Sequence, residues 1–287
     1  MKHLTTCFVL GLTFIAGLTT AWPQPALPDE PPPSVSNSRS VEEQLRELRY
    51  DQVACLVTHN AMSSQAEGWF FPNQSHGLTR QLEDGVRGLM LDVHTIGGQP
   101  WLVHNRPILG KRPLVDALRD IARFMKSEPQ AVVTIIFESY VPSKSVQQAF
   151  RQAGLLDYAH QQKCGDAWPT LNSMVQAGKR LVVFTDRGGG EWPGYHAVWD
   201  HCQETHFSVR SVTEFSFRRN RGQAQNSLLI LNHFLTAPIA SRSLAKQANA
   251  AEVLSPRIRE CEAKTGRFPK FIAVDFHDIG QTVRTVR

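Results

Sequence analysis

The sequence predicts an α/β fold, a parallel (β/α)8 barrel of the TIM type with one distorted connection, on three observations. Short apolar runs alternate with amphipathic segments from Ser40 to the end of the 287-residue chain. Eight runs read as strands, enough for a closed parallel sheet of the usual size, about 250 residues. Polar side chains close most of these runs, at the strand ends where barrels of this kind carry their chemistry. Composition agrees: 41% hydrophobic and 20% charged residues exclude a disordered chain, a coiled coil and a collagen-like fibre. No apolar run after residue 21 approaches the roughly 20 residues needed to cross a bilayer.

The amino terminus reads as a leader and a tether. Lys2 and His3 precede an uncharged apolar stretch, Leu4 to Leu18, and Thr19-Thr20-Ala21 follows as a small-residue cleavage pattern. Residues 1–21 are therefore expected to be a signal peptide, which places the mature chain outside the cytoplasm, secreted or periplasmic. An uncleaved anchor is the other reading. Residues 22–39 open with WPQPALPDEPPP, a proline-rich linker that favours extended chain. Residues 40–287 are the barrel.

Ser40-Val-Glu-Glu43 carries a capping-box pattern and opens a helix. The expected strands are Val53–Thr58, Val86–Leu91, Pro100–His104, Ala131–Phe137, Arg180–Thr185, His206–Val209, Ser227–Leu231 and Phe271–Phe276. Between them, Leu114–Lys126 sets Leu114, Leu118, Ile121 and Met125 on one helical face, and Thr170–Gly178 starts on a capping threonine and ends at glycine. One connection fits poorly. Asp92 to Pro100 leaves no room for a crossover helix of a dozen residues, so a bare loop is expected to join strands two and three.

The polar residues closing these runs are His59-Asn60, Asp92, His104, Glu138, Asp186-Arg187, Asn232-His233 and Asp275. Closure sets strand eight beside strand one, making Asp275 and His59 candidates for contact, a carboxylate orienting an imidazole. His104 is expected across the mouth. Two facing histidines suit general base and general acid roles. Taken singly, each residue has a plainer reading: a strand-end histidine is more often a hydrogen-bonded structural residue, and Asp92 or Glu138 an ordinary loop carboxylate. Alternation along strand one puts Cys55 and Val57 in phase with His59, so Cys55 should be a buried free thiol. Of the other cysteines outside the leader, Cys164 and Cys202 flank loops and are the candidate disulfide pair; no close CxxC spacing suggests structural zinc. The net charge of +5 is too small and dispersed to argue for nucleic acid.

The segments THNAMSS (58–64), LTRQLEDGVRGLMLDVH (78–94), WLVHN (101–105), VVTIIFESY (132–140), GKRLVVFTDRGGG (178–190), NSLLILNHF (226–234) and PKFIAVDFHDIG (269–280) resemble the phosphatidylinositol-specific phospholipase C X-domain family, in its bacterial and plant phospholipase-C-like phosphodiesterase branch. The resemblance implies a distorted (β/α)8 barrel that cleaves a phosphodiester, with a phospholipid or related phosphodiester as substrate and peripheral contact with a membrane. It makes His59 the general base, His104 the general acid, Asp275 the carboxylate supporting the base, and Asp92 a further catalytic position. Animal members hold calcium with an Asn, a Glu-x-Asp pair and a Glu. Asn60, Asp92 and Glu138 match that set, but Met90 stands where the first carboxylate belongs. Metal-independent bacterial members carry Asp-x-Arg on that strand, which this chain lacks. The resemblance thus implies a weakened Ca2+ or Mg2+ site with Asn60, Asp92 and Glu138 as donors. Arg187, beside three glycines, and Asn232 are the expected substrate-binding residues. Trp69-Phe70-Phe71, in the loop after His59, either packs down as a lid or touches lipid, and packing is favoured. A glycerophosphodiesterase or sphingomyelinase-D-like enzyme is the nearest alternative activity. A catalytically dead barrel binding inositol or sugar phosphate is the alternative of a different class, kept alive by Met90.

Overall fold

The computed structural model describes residues 40–286, so the expected leader and linker lie outside the described residues. One sheet contains β1 (Cys55–Thr58), β2 (Gly88–Ile96), β3 (Gln99–Leu102), β4 (Arg112–Pro113), β5 (Val133–Ser139), β6 (Leu181–Thr185), β7 (Tyr195–Ala197), β8 (Cys202–Glu204), β9 (Leu228–Asn232) and β10 (Phe271–Val274). Eight strands follow the order β7-β6-β5-β2-β1-β10-β9-β8, every neighbouring pair parallel. Around them run α1 (Val41–Glu47), α2 (Leu78–Glu83), α3 (Leu114–Ser127), α4 (Ser143–Ala153), α5 (Leu171–Gln176), α6 (Val198–His201), α7 (Arg242–Ala248), α8 (Ala251–Thr265) and α9 (Thr282–Val286). This is a distorted α/β barrel, as the alternation of patterns predicts. No helix among the described residues is long and apolar enough to cross a membrane.

Local chemistry explains the element ends. Ser40 Oγ accepts the Glu43 N–H at 3.2 Å while the Glu43 carboxylate takes the Ser40 N–H at 2.8 Å, so the capping box forms. Thr170 caps α5 by accepting the Ser173 N–H. On α3, Leu114, Leu118, Ile121 and Met125 are all buried, as their spacing requires. Gly88 lets β1 and β2 approach: a Cβ there would stand 2.5 Å from Val57 Cγ2.

The strands have two buried faces and two core layers. Cys55, Val57, Val182, Phe184, Leu228, Ile230, Phe271 and Ala273 point inward and fill the barrel with Tyr50 and Trp168. Leu56, Leu89, Leu91, Ile135, Phe137, Val183, Leu231, Ile272 and Val274 point outward and pack under Leu114, Leu118, Phe150 and Leu254 of the helices. Cys55 is buried and free, in phase with Val57 as expected.

Three expectations are corrected. The run at Pro100–His104 is not a barrel strand: β3 turns back antiparallel to β2, and β4 pairs antiparallel with β3. The joining segment is a tight turn, with Gly97 (φ 55°) and Gly98 (φ 76°) supplying the left-handed backbone such hairpins need. Its place in the count of eight is taken by β7, three residues that carry no periodic signal. The sixth strand is Cys202–Glu204 rather than His206–Val209, because residues 206–209 lie beyond the ladder with β9. Cys164 is exposed, Cys202 is buried, and both are free, so the expected disulfide is not formed.

No ladder joins β7 to β8 among the described residues, and only the four-residue α6 separates them. Side chains fill this seam. His196 and His201 lie edge to face at 5.3 Å, between Trp168 and Phe184, and His196 donates from Nε2 to the His160 carbonyl at 2.9 Å. Burial, then the neighbouring His196, pulls the pKa of His201 down to about 4. On β9's far side His233 donates to the Ala248 carbonyl at 2.7 Å, and burial pulls its pKa down to about 3.

A histidine with a depressed native pKa stays neutral in the fold while the unfolded chain takes up a proton near pH 6.5. Its stabilisation is complete above that pH and declines as pH falls toward the native value, by about 1.4 kcal/mol per pH unit for each ring. Thermal unfolding should therefore shift to lower temperature between about pH 6.5 and pH 4, and His201→Phe should flatten that slope. Because Asp92, raised to about 7, works in the opposite sense over the same window, the test is the difference between the two proteins: a slope that His201→Phe leaves unchanged would mean that this ring accepts its proton in place.

Candidate active site

The carboxyl end of β1 delivers His59 and Asn60, and the flanking strands define their surroundings. The His59 N–H continues the ladder to the Val274 carbonyl (3.0 Å), and the Gln74 amide donates to the carbonyls of both His59 (2.9 Å) and Val274 (3.1 Å). Asn60 is then forced into the left-handed region (φ 46°), which asparagine tolerates better than most residues. His59 Nδ1 donates to Asp275 Oδ1 at 3.0 Å, the same oxygen that accepts the Asn73 amide at 3.0 Å. The ring stacks on Phe234, 3.8 Å between centroids and 9° between planes. Burial disfavours the charged imidazole. The charge and hydrogen bond of Asp275, aided by Asp92 and Glu138, outweigh it, and the His59 pKa is raised. With Nδ1 committed to Asp275, Nε2 is the nitrogen left for chemistry.

His104 follows β3, so the hairpin and not a barrel strand carries it to the mouth. Its Nε2 accepts the amides of Asn60 (3.2 Å) and Asn105 (3.1 Å). Burial, then the charge of His59, pulls its pKa down to about 4. The two histidines are thus joined through Asn60 and shifted in opposite directions.

Beside them lies a cavity of about 140 Å3 lined by His59, Asn60, Met90, Asp92, Glu138, Asp186, Glu204, Arg221 and Asn232, with Trp199, Phe207 and Phe234 as aromatic walls. Asp92 and Glu138 are register partners on β2 and β5 and project side by side. The Asp92 carboxyl has no hydrogen-bond partner among the described residues; burial, then Glu138, and more weakly Asp186, push its pKa up to about 7 against the pull of His59. Glu138 accepts the Tyr140 hydroxyl, and Asp186 accepts the Ser139 N–H at 2.8 Å. Met90 lines the same wall as Asp92, as their two-residue spacing requires.

Asn232 faces the cavity, but its amide is spent on Glu204 Oε2 (3.1 Å) and the Thr205 carbonyl (2.7 Å). Arg187 is not among the lining residues; its guanidinium lies 3.8 Å over the Tyr140 ring and 3.6 Å from Asp186. Glu204, Arg221, Trp199, Phe207, Phe234 and Asn73 were not legible in the sequence. Glu204 ends a three-residue strand, and Arg221 sits in a segment with no periodicity, so no local pattern marks either.

Two carboxylates and an amide, Asp92, Glu138 and Asn60, offer hard oxygen donors on one wall. No three acidic, histidine or cysteine side chains converge on a point among the described residues. The set fits a hard divalent cation that takes most of its ligands from water or substrate, and the unpartnered Asp92 carboxyl with its raised pKa is what such an ion would relieve.

A family model described as PI-PLC X 1 matches residues 45–287. A PI-PLC X domain-containing protein of Arabidopsis thaliana is 32% identical over 80% of this chain, which spans only 59% of that relative's length. An uncharacterized secreted protein of Arthroderma benhamiae is 25% identical over 97% of this chain and 68% of its own. Among solved structures, the phosphatidylinositol-specific phospholipase C of Listeria monocytogenes covers 84% of this chain and 94% of its own at 15% identity, with a TM-score of 0.55. That of Staphylococcus aureus, from work on its membrane binding, covers 84% and 93% at 13% identity, with a TM-score of 0.58. These two share the fold. By the family model's span, the chain belongs to the PI-PLC X domain family.

Proposed function

We propose that this protein is an exported phosphodiesterase that cleaves a phosphoinositide or related lipid-linked phosphodiester by two-histidine acid–base catalysis. The observation that carries the reading is the His59–Asp275 hydrogen bond at the edge of a cavity, with His104 held against the same site through Asn60. His59 Nε2 takes the proton of the attacking hydroxyl as the new P–O bond forms, and Asp275 stabilises the imidazolium. His104 gives a proton to the leaving oxygen as its bond to phosphorus breaks. In the free protein His104 is neutral; an anionic diester beside it favours its protonation, so substrate itself supports the acid form. A divalent ion held by Asn60, Asp92 and Glu138 supplies charge stabilisation when bound, and without it Asp92 is the hydrogen-bonding partner on that wall. His59→Ala and His104→Ala should each lower kcat/KM by about 10² to 10⁴ with the fold intact, and Asp275→Asn should cost less than His59→Ala. Turnover by either histidine variant at the native rate, on a diester the native protein cleaves, would remove this mechanism.

The metal part has its own test. Calcium should bind weakly to the native protein, less to Asp92→Asn and more tightly to Met90→Glu, which restores a carboxylate on the same wall. Calorimetric titration with activity followed in parallel reads this. Full activity in chelator, together with no binding by Met90→Glu, would leave Asp92 a hydrogen-bonding role alone.

The cavity is smaller than the roughly 300–1,000 Å3 of common small-molecule pockets, which suits a head group with its acyl chains left outside. The loops that follow His59 and His104 support a lipid contact. Trp69 packs down, 6% exposed, whereas Phe70 and Phe71 are 65% and 57% exposed. The Phe70 N–H bonds the Leu109 carbonyl, which sets the pair beside Ile108, 82% exposed and flanked by exposed Arg106 and Lys111. Apolar tips with cations close by in the chain suit an anionic lipid surface. Changing Phe70, Phe71 and Ile108 together to Ser should weaken vesicle sedimentation by about tenfold or more and leave cleavage of a soluble diester unchanged. Unaltered vesicle binding would dismiss this surface.

A further inference from the structure

Four carboxylates line the candidate active site, Asp92, Glu138, Asp186 and Glu204, and an anionic diester entering it meets their repulsion. Histidine apart, Arg221 is the one cationic side chain among the lining residues. It comes from the segment between β8 and β9, not from β2, and nothing in its sequence surroundings marks it.

Its geometry is that of a held receptor. Nε and Nη2 donate to Glu204 Oε1 (2.5 Å) and Oε2 (3.2 Å), a bidentate fork. The guanidinium carbon lies 4.3 Å from the Trp199 ring centroid and 5.1 Å from that of Phe207. Glu204 is itself fixed by the amides of Asn220 (2.8 Å) and Asn232 (3.1 Å). Five N–H groups are available on a guanidinium and the fork uses two, so the Nη1 edge retains its donors. Trp199 and Phe207 hold the plane of the guanidinium by cation–π contact while its side chain stays 43% exposed, so the remaining donors are open to a ligand. A donor already fixed in place costs no reorganisation when charge develops on phosphorus.

We propose that Arg221 receives the non-bridging oxygens of the phosphodiester, with Glu204 as the residue that positions it. This rests on the phosphodiesterase reading and names the group that meets the charge of the substrate. Glu204 then plays two opposed parts, since it holds the arginine in place and competes with the ligand for its charge. A merely structural Arg221–Glu204 pair makes a different demand: loss of either partner should harm the site alike.

The experiment uses the full chain in chelator, with inorganic phosphate as the probe in calorimetric titration and a soluble phosphodiester as substrate. Arg221→Met should bind phosphate at least about tenfold more weakly and lose about 10² in kcat/KM. Arg221→Lys, which keeps the charge without the fork, should fall between. Glu204→Gln should bind phosphate more tightly than the native protein. His59→Ala should lose turnover and keep phosphate binding, so phosphate binding that follows Arg221 in a protein without phosphodiesterase activity would overturn the catalytic reading and leave this one standing. The proposal is overturned by equal phosphate binding in the native protein and Arg221→Met, by no phosphate binding in the native protein, or by Glu204→Gln losing phosphate as Arg221→Met does. Circular dichroism checks that Arg221→Met is folded, and the Lys and Gln variants decide the matter if it is not.

Discussion

Strand β1 is paired on both flanks by parallel strands, with Thr58 opposite Val274 of β10 on one side and opposite Leu89 of β2 on the other. The row continues through Ile135 of β5 to Val183 of β6. His59, Asp275, Asp92, Glu138 and Asp186 all leave the sheet within three residues of that row. A slip of one residue in any of these ladders would turn the inward side chains outward and scatter the set. The inner layer of Val57, Phe184, Ile230 and Phe271 opposes such a slip, because each has a buried place only in this register.

That alignment concentrates charge in a small space. Carboxylates from β2, β5, β6 and β8 reach one cavity, and the result is a site whose neighbours shift each other's protonation. Asp275 raises the proton affinity of His59, the charge of His59 lowers that of His104, and Glu138 makes Asp92 reluctant to ionise. Met90 puts a thioether on the β2 wall beside Asp92. The positive side is left to His59 when it takes up a proton and to Arg221, an arginine carried on a different element.

Irregular segments complete the site. The β2–β3 hairpin leaves the barrel and returns His104 to its mouth, and the seam between β7 and β8 is closed by side chains in place of a ladder. The same seam brings in Trp199, Glu204 and, through the following segment, Arg221. The regular part of the barrel thus orients the His59–Asp275 pair, and its departures from regularity supply the rest of the cavity.

The sequence by itself determined the class of fold, the inner phase of Cys55, Val57 and His59, the α1 cap, the buried stripe of α3 and the pairing of His59 with Asp275. Each rests on a period of two or 3.6 residues, on cap chemistry, or on the neighbourhood of first and last strands in a closed sheet. The resemblance carried by the histidine and aspartate segments pointed to the family. Tertiary structure alone decided that Pro100–His104 turns back as a hairpin, that Tyr195–Ala197 is a strand and that Cys164 and Cys202 stay apart. It also decided that Arg221, not Arg187, faces the cavity. Three-residue strands have too few side chains to show a period, and a long polar side chain goes where its partners are. Glu204, Trp199 and Phe207 lie 17, 22 and 14 positions before Arg221 in the chain, and only folding sets them around its guanidinium.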